Sequence, residues 1–213
     1  MILYASNRAA GAWRARLRER LRAALGPAAA EPWADDAAAA VAVFLARAAG
    51  ARPVRDDDVD AALGAALCEL GRPEFAQRLI GGRDGTSRHW RAALASGAPP
   101  ALRHAALRRW LRPAGGATRR EDVWTLDLGR LFRDEPTGLE LARHRRLAAV
   151  LDALAESVPA EHGLAAIALR LPRDADRRAA AELRDFCAAR LAEAARRRAW
   201  PRVPEILRAD LRT

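Results

Sequence analysis

Arginine is the residue type with the most binding chemistry to offer in this chain, because all 37 basic residues are Arg and no Lys occurs. Guanidinium groups never lose their charge and bind phosphates or carboxylates through two parallel hydrogen bonds. Residues 1–84 hold 12 Arg and 11 acidic residues, whereas residues 85–213 hold 25 Arg and 16. This imbalance favours acidic partners such as a nucleotide, nucleic acid or an acidic protein. A solvated, arginine-biased surface is the alternative.

The first group of candidate residues lies near the N-terminus and could bind phosphate. Arg8, Arg14 and Arg16 lie in or next to the segment "MILYASNRAAGAW", where they could meet the charge of a triphosphate. Arginines at alternate positions of a helix fan around it and do not form one stripe. Simple solvation of these side chains therefore stays open beside nucleotide binding.

The second group consists of the basic runs "RHRR" at 143–146 and "RRR" at 196–198, close to tryptophans in the sequence. Mixtures of basic and aromatic residues suit single-stranded nucleic acid. The candidates for binding nucleic acid or an acidic partner are Arg143, Arg145, Arg146, Arg196, Arg197 and Arg198. Core packing is the alternative role of the tryptophans.

No pattern in the sequence predicts catalytic or metal-binding residues. The four histidines are scattered, and the Gly-rich stretch at 81–90 matches neither a Walker motif nor a dinucleotide fingerprint. Asp56, Asp57 and Asp58 are adjacent, so we interpret them as the start of a helix. Cys68 and Cys187 lack the spacing of a zinc site and are expected in helix cores. The sequence favours a non-enzymatic protein, although an enzyme with an unrecognised helical site stays open.

The elements follow from apolar spacing and from Gly and Pro punctuation. The opening segment predicts a short β-hairpin, and leucines every four residues predict a first helix that ends at Gly26-Pro27. Further helices are expected from Trp33 to Gly50, from "VRDDD" to Gly71, and from Pro73 onward. We therefore predict a mainly α fold. Residues 1–84 would form a hairpin plus four helices, and residues 85–213 a second helical domain with at most one or two short strands.

The order of these elements resembles the ATP-cone domain, the regulatory nucleotide-binding module of ribonucleotide reductases and their repressor. The features that carry the resemblance are Val54, Val59, Leu63, Leu67, "ELG" at 69–71, "EFAQRLI" at 74–80 and Arg83. In that family a Lys-Arg-Asp-Gly-like turn in the opening hairpin meets the nucleotide phosphates, whereas this chain has "YASNRAAG". The resemblance implies ATP or dATP as an effector, with Arg8 and the helix arginines as its contacts.

A second resemblance concerns "RPVRDDDVDAAL", which is similar to the last helix of a histone fold. That fold needs a central helix of about 27 residues, whereas Pro32 and Gly50 bound a shorter one here. The sequence thus predicts a cytoplasmic regulatory or nucleotide-sensing protein without a membrane span, and DNA binding is the alternative function.

Overall fold

The chain divides after Gly97 into two units, Met1–Gly97 and Ala98–Thr213. The structure is a computed structural model that describes residues 2–49, 54–81, 92–95, 97–113, 123–133, 140–172 and 175–208. The domain boundary predicted after residue 84 lies outside these residues. Among the described helices, none has the length and apolar character that crossing a bilayer requires.

Four helices make up most of the described part of the N-terminal unit. Gly26 and Gly71 follow two of them in the left-handed region, with φ of 61° and 72°, which glycine adopts without strain. The bounds are α1 (Ile2–Leu25), a 3-10 helix (Gly26–Ala30), α2 (Pro32–Ala49), α3 (Asp56–Glu69) and α4 (Pro73–Gly81).

The predicted N-terminal β-hairpin is wrong, because Ile2–Leu25 is one continuous helix. The Ser6-Asn7 pair was a weak turn signal beside a strong helix pattern that follows it. Once a helix is nucleated, each further residue adds a hydrogen bond at little entropic cost. Gly11 lowers helix stability by about 1 kcal/mol without ending the helix. A β-carbon at Gly11 would meet nothing within 4 Å, so this position lies on the open side of α1.

Leucines fill the core of the N-terminal unit. Leu17 and Leu21 of α1 are fully buried, as are Leu63 and Leu67 of α3. Trp33 at the start of α2 stacks on Phe75 of α4, with ring centroids 4.7 Å apart. These leucines belong to the apolar patterns predicted from the sequence, whereas Phe44 and Leu70, which follow the same patterns, are exposed.

An ion pair joins α1 to the first turn of α2. Arg18 donates two hydrogen bonds to the carboxylate of Asp35. This bonding, aided by the charges of Arg18, Arg14 and Arg22, lowers the pKa of Asp35 below its ordinary value of 3.8 against an opposing desolvation. The pair therefore favours the folded state while Asp35 is ionised.

The C-terminal unit contains four helices and four strands among its described residues. The helices are α5 (Pro100–Leu107), α6 (Leu128–Arg133), α7 (Glu140–Ser157) and α8 (Arg177–Arg197). The strands are β1 (Leu111–Pro113), β2 (Val123–Asp127), β3 (Ala166–Arg170) and β4 (Glu205–Arg208).

These strands form one mixed sheet in the order β1-β2-β3-β4. β1 pairs antiparallel with β2, whereas β2, β3 and β4 are parallel. The register places Leu111 opposite Leu126 and Asp127 opposite Arg170. The start of β1 therefore lies at the same sheet edge as the carboxyl ends of β2 and β3.

The sheet contradicts the predicted limit of one or two short strands. Four strands are present among the described residues instead. β1 and β4 were missed, since "LRP" and "EILR" are too short to show a period and lie beside prolines. Parallel pairing brings together strands that are distant in sequence, which local periodicity does not reveal.

Helices α7 and α8 connect the parallel strands and pack against each other. The rule of right-handed crossovers places both on one face of the sheet. Arg190 donates to Asp152 at 2.9 and 2.5 Å, and the His144 ring lies 5.0 Å from that of Phe186. Trp124, Leu126, Ile167 and Leu169 share one face of the sheet and are all buried. On the opposite face Val123, Ala166 and Asp127 are buried as well.

Helices α5 and α8 end in an unusual way. Arg109 and Ala199 follow them with φ of 57° and 52°, in the left-handed region. A buried tryptophan, Trp110 or Trp200, comes directly after each of these two residues. Its backbone N–H donates to the carbonyl five residues earlier, at 2.9 Å in both cases. This is the Schellman arrangement, whose left-handed position usually holds glycine.

We expect Ala199→Gly to stabilise the C-terminal unit by about 1 kcal/mol, because glycine removes the steric conflict of the left-handed conformation. The matched control is Ala189→Gly within α8, an exposed position where glycine should destabilise by about 1 kcal/mol. Urea unfolding of the two variants should therefore give shifts of opposite sign. Equal destabilisation by both would show that the backbone at Ala199 is not strained.

We expect the ion pair of Asp35 to add to acid sensitivity. Its lowered pKa means that the stabilisation is fully present above the unfolded value, 3.8, and is lost as the pH falls through the lower folded pKa. The free energy of unfolding should therefore fall less for Asp35→Asn than for the unmodified chain when the pH is lowered from neutral to below 3.8. Asp36→Asn, on the exposed side of the same turn, is the control and should retain the full acid loss. Identical pH profiles for Asp35→Asn and the unmodified chain would contradict the assignment.

Candidate functional site

A buried carboxylate surrounded by arginines lies at the carboxyl edge of the C-terminal sheet. Asp127 ends β2 and is only 5% exposed. Its partner across the parallel ladder is Arg170, the last residue of β3, and Arg130 follows in α6. In open α/β sheets this edge is where ligands commonly bind.

The two carboxylate oxygens of Asp127 have different partners: Oδ1 accepts a backbone hydrogen bond, and Oδ2 faces two guanidinium groups. Its backbone N–H donates to the Trp110 carbonyl at 2.7 Å, and its Oδ1 accepts the Arg130 backbone N–H at 2.9 Å. Its Oδ2 lies 3.7 Å from both Arg130 Nε and Arg170 Nη1. Both of these contacts are longer than a hydrogen bond, so they are charge contacts.

Arg112 of β1 joins this group from the other side of β2. It lies opposite Thr125, so alternation places it on the same sheet face as Asp127 and Arg170. Burial lowers the pKa of Arg112, as do the charges of Arg170, Arg130 and Arg109, while Asp127 opposes them. We call Arg109, Arg112, Arg130 and Arg170 around Asp127 the arginine cluster.

The arginine cluster was missed by sequence reasoning. Asp127 in "TLDLGR" could have been recognised as a helix cap after a strand. Nothing local connects it to Arg112 or Arg170, which lie 15 and 43 positions away and reach it only through the register of three strands. A strand register is a long-range property, and one sequence does not reveal it.

The basic runs predicted to bind a partner lie at two separate places on the α7–α8 pair. In α7, Arg143 lies over the Phe132 ring at 5.7 Å and Arg146 over the Trp110 ring at 5.3 Å, while Arg145 is exposed.

At the end of α8, Arg196 is exposed and Arg197 lies 3.9 Å from Asp152. Arg198 donates to the Val158 carbonyl at 3.1 Å. The contact between Asp152 and Arg190 aligns the two helices, which run in the same direction. Arg145 and Arg196 are then roughly 20 Å apart along the helix axes, at a rise of about 1.5 Å per residue. The two runs therefore do not form one patch.

The predicted nucleotide contacts also diverge. The Arg8 side chain lies outside the described part of the chain. The charge of Arg14 acts on Asp35 of α2, whereas Arg16 lies over the Trp13 ring at 4.7 Å. Arg14 and Arg16 therefore occupy different faces of α1 and do not converge on one phosphate.

A cleft of about 250 Å³ between α1 and α3 contains Trp13 and Arg16. The other charged side chains in its lining are Glu19, Arg20 and Asp56. Arg20 is already engaged, since it contacts Asp60 at 2.6 Å and Asp56 at 3.2 Å. Positive and negative charges are balanced in this cleft, so it offers a polyphosphate little attraction.

The adjacent aspartates behave as predicted for a helix start, because α3 begins at Asp56. The Arg55 N–H donates to Asp58 Oδ2 at 3.1 Å, which satisfies one backbone group before the helix. Within the described ranges, no group of three or more His, Cys, Asp or Glu side chains could hold a metal ion. Both cysteines are buried and reduced, and burial raises the pKa of the Cys187 thiol to about 12.

We expect Asp127 to stabilise the C-terminal unit in two separable ways. Asp127→Asn keeps an oxygen that can accept the Arg130 N–H but removes the charge among the arginines, and should cost about 1–2 kcal/mol. Asp127→Ala also removes the helix cap and should cost about 1 kcal/mol more. Urea unfolding gives the totals, and hydrogen exchange of the β2 and β3 amides locates the loss. An alanine variant as stable as the unmodified chain would contradict both roles.

The comparisons with known proteins add no relative: no protein-family model, curated protein or solved structure matches the chain. The likeness to the ATP-cone domain thus rests on the helical pattern of residues 1–84 alone, without the hairpin that holds nucleotide phosphates in that family.

Proposed function

We propose that this chain is a non-enzymatic binding protein whose C-terminal unit captures an oxyanion of an acidic ligand or partner at the arginine cluster. The observation that carries the proposal is the convergence of guanidinium groups from three elements near one buried carboxylate. Arg130 and Arg170 contact Asp127, and Arg112 lies on the same sheet face.

Arg170 supports a ligand in addition to a structural role, because its Nε is buried and has no hydrogen-bond partner among the described residues. A buried donor without an acceptor destabilises a protein, and a ligand oxygen would satisfy it. Like charges also act on Arg112, whose pKa is lowered by burial and by the charges of Arg170, Arg130 and Arg109.

The chemistry of the residues favours binding over catalysis. Arginine stays protonated and does not act as a general acid or base at neutral pH. Asp127, the carboxylate of the cluster, is buried, caps α6 with one oxygen and contacts two guanidiniums with the other. Bidentate guanidinium contacts to phosphate or carboxylate oxygens are the strongest interaction that such a set provides.

A nucleotide effector such as ATP or dATP stays within this proposal, but its phosphates are assigned to a different unit. The continuous helix α1 removes the hairpin on which an N-terminal phosphate site depended. The regulatory or nucleotide-sensing role is therefore proposed for the arginine cluster, and the N-terminal unit would transmit or support it.

We expect phosphate to raise the melting temperature of the full chain above that in sodium chloride of equal ionic strength. A ligand at about 100 times its Kd stabilises the folded state by about 2.7 kcal/mol, which corresponds to a shift of several degrees. Matching the ionic strength removes the general effect of screening.

The variants Arg112→Ala and Arg170→Ala should lose this phosphate-specific shift. Arg178→Ala is the matched control, because it removes the same charge from an 88% exposed side chain paired with Glu182 in α8. If phosphate gives no shift beyond that of chloride, or if all three variants retain it, the arginine cluster is not an anion site.

A further inference from the structure

We infer that two copies of this chain pair through the exposed face of α2, with the two α2 helices antiparallel about a twofold axis. The face has exposed apolar side chains in its middle, Asp36 near one end and Arg47 near the other. It belongs to the N-terminal unit, so the inference goes beyond the proposed function and does not depend on anion binding.

Two large apolar side chains are exposed at the middle of this face. Phe44 is 61% exposed and Val43 is 46% exposed. The other exposed large apolar residues in the described ranges are each isolated along the chain: Leu70, Leu141 and Val203. Single exposed apolar residues are normal on a protein surface, whereas contiguous ones are typical of an interaction surface.

The exposed positions of α2 form one stripe opposite its buried face. Between residues 33 and 48 they are Asp36, Ala40, Val43, Phe44 and Arg47. At 3.6 residues per turn these positions fall within a sector of about 100°, and the buried positions of α2 lie on the other side of the helix. Asp36 and Arg47 are almost three complete turns apart, so they lie on one line along the stripe, separated by about 17 Å.

The charges of the stripe are complementary to those of an inverted second copy. In an antiparallel pair centred between residues 41 and 42, Asp36 of one copy lies opposite Arg47 of the other, and the twofold axis repeats this contact. Neither side chain forms an ion pair within the described part of the chain. A parallel pair in register would place like charges together at both ends. The charges therefore favour the antiparallel arrangement.

The sizes of the apolar side chains also fit an antiparallel pair. Ala40 of one copy lies opposite Val43 and Phe44 of the second copy, so a small side chain meets large ones on both sides of the axis. Such an arrangement allows the two helices to approach to the usual distance of about 8–10 Å between axes. The N-terminal end of each helix also lies beside the C-terminal end of the other, where the partial charges are opposite.

An acidic ligand or a nucleic-acid strand fits this face poorly. Asp36 would repel a phosphate, and the apolar centre of the stripe gives phosphate oxygens no hydrogen-bond donors. Residues 1–84 hold 12 Arg against 11 acidic residues, so their charge is nearly balanced. Two copies therefore repel each other less at this unit than the net charge of +10 for the whole chain would indicate.

The stripe is narrow, so the dimer should be weak and reversible. Five residues from each copy bury less surface than the roughly 1,600 Å² of a typical stable interface. We therefore expect a Kd of roughly 100 μM. At about 1 μM the chain is then a monomer, and unfolding measured at that concentration reports on the single chain.

The test is sedimentation equilibrium of the full chain between about 1 and 300 μM. The average mass should rise with concentration from that of one chain toward that of two. Phe44→Ser should weaken the association at least about tenfold, because it removes the largest apolar contact from both copies. Leu70→Ser is the matched control, since it removes an exposed apolar side chain at the end of α3 and should leave the association unchanged.

Charge reversal tests which residues face each other. Asp36→Arg gives the stripe two arginines and Arg47→Asp gives it two acids, so each variant alone should associate at least about tenfold more weakly than the unmodified chain. An equal mixture of the two variants should regain the association, because the mixed pair again places an acid opposite an arginine at both ends. The double variant should associate like the unmodified chain for the same reason. Circular dichroism checks that each variant is folded.

The outcomes distinguish this pairing from other uses of the face. A chain that stays monomeric at about 300 μM would overturn the inference and leave the face to a different partner. Association that survives Phe44→Ser would place the interface elsewhere. If the single reversals weaken association but neither the mixture nor the double variant regains it, the antiparallel pairing of Asp36 with Arg47 is wrong. A mass above that of two chains would contradict a closed twofold pair.

Discussion

Asp127 is the residue on which the carboxyl edge of the C-terminal sheet depends. Its backbone N–H donates to the carbonyl of Trp110, the residue before β1. Its Oδ1 accepts the backbone N–H of Arg130 in the first turn of α6. Its Oδ2 holds guanidiniums from α6 and β3 within 3.7 Å. A buried carboxylate is stable only when it is paired and hydrogen-bonded. The arginines that contact it, Arg130 and Arg170, therefore stabilise this part of the fold.

Ion pairs join neighbouring helices in both units. In the N-terminal unit two arginines of α1 pair with acids, Arg18 with Asp35 and Arg20 with Asp60 and Asp56. In the C-terminal unit Arg190 of α8 pairs with Asp152 of α7 at 2.5 Å. The arginine cluster differs, because Arg130 and Arg170 approach Asp127 Oδ2 only to 3.7 Å.

Local signals predicted local structure well and distant pairing poorly. The helices that begin at Pro32, Asp56 and Pro73 followed from punctuation and apolar spacing. The N-terminal hairpin was wrong because one turn signal was weighed above the continuity of a helix. The sheet was underestimated because β1 and β4 are three and four residues long, too short to show alternation. The arginine cluster requires the register of β1, β2 and β3, so no local pattern could have indicated it.

The antiparallel direction of β1 has a consequence for how this chain tolerates change in length. β1 is an edge strand of three residues, and it delivers Arg112 to the face of the sheet where Asp127 and Arg170 lie. Successive side chains of a strand point to opposite faces, so a slip of one residue would turn Arg112 toward the face opposite Asp127. Deleting one residue of the strand would thus do more harm than replacing Arg112. Insertions between β1 and β2 leave that alternation unchanged.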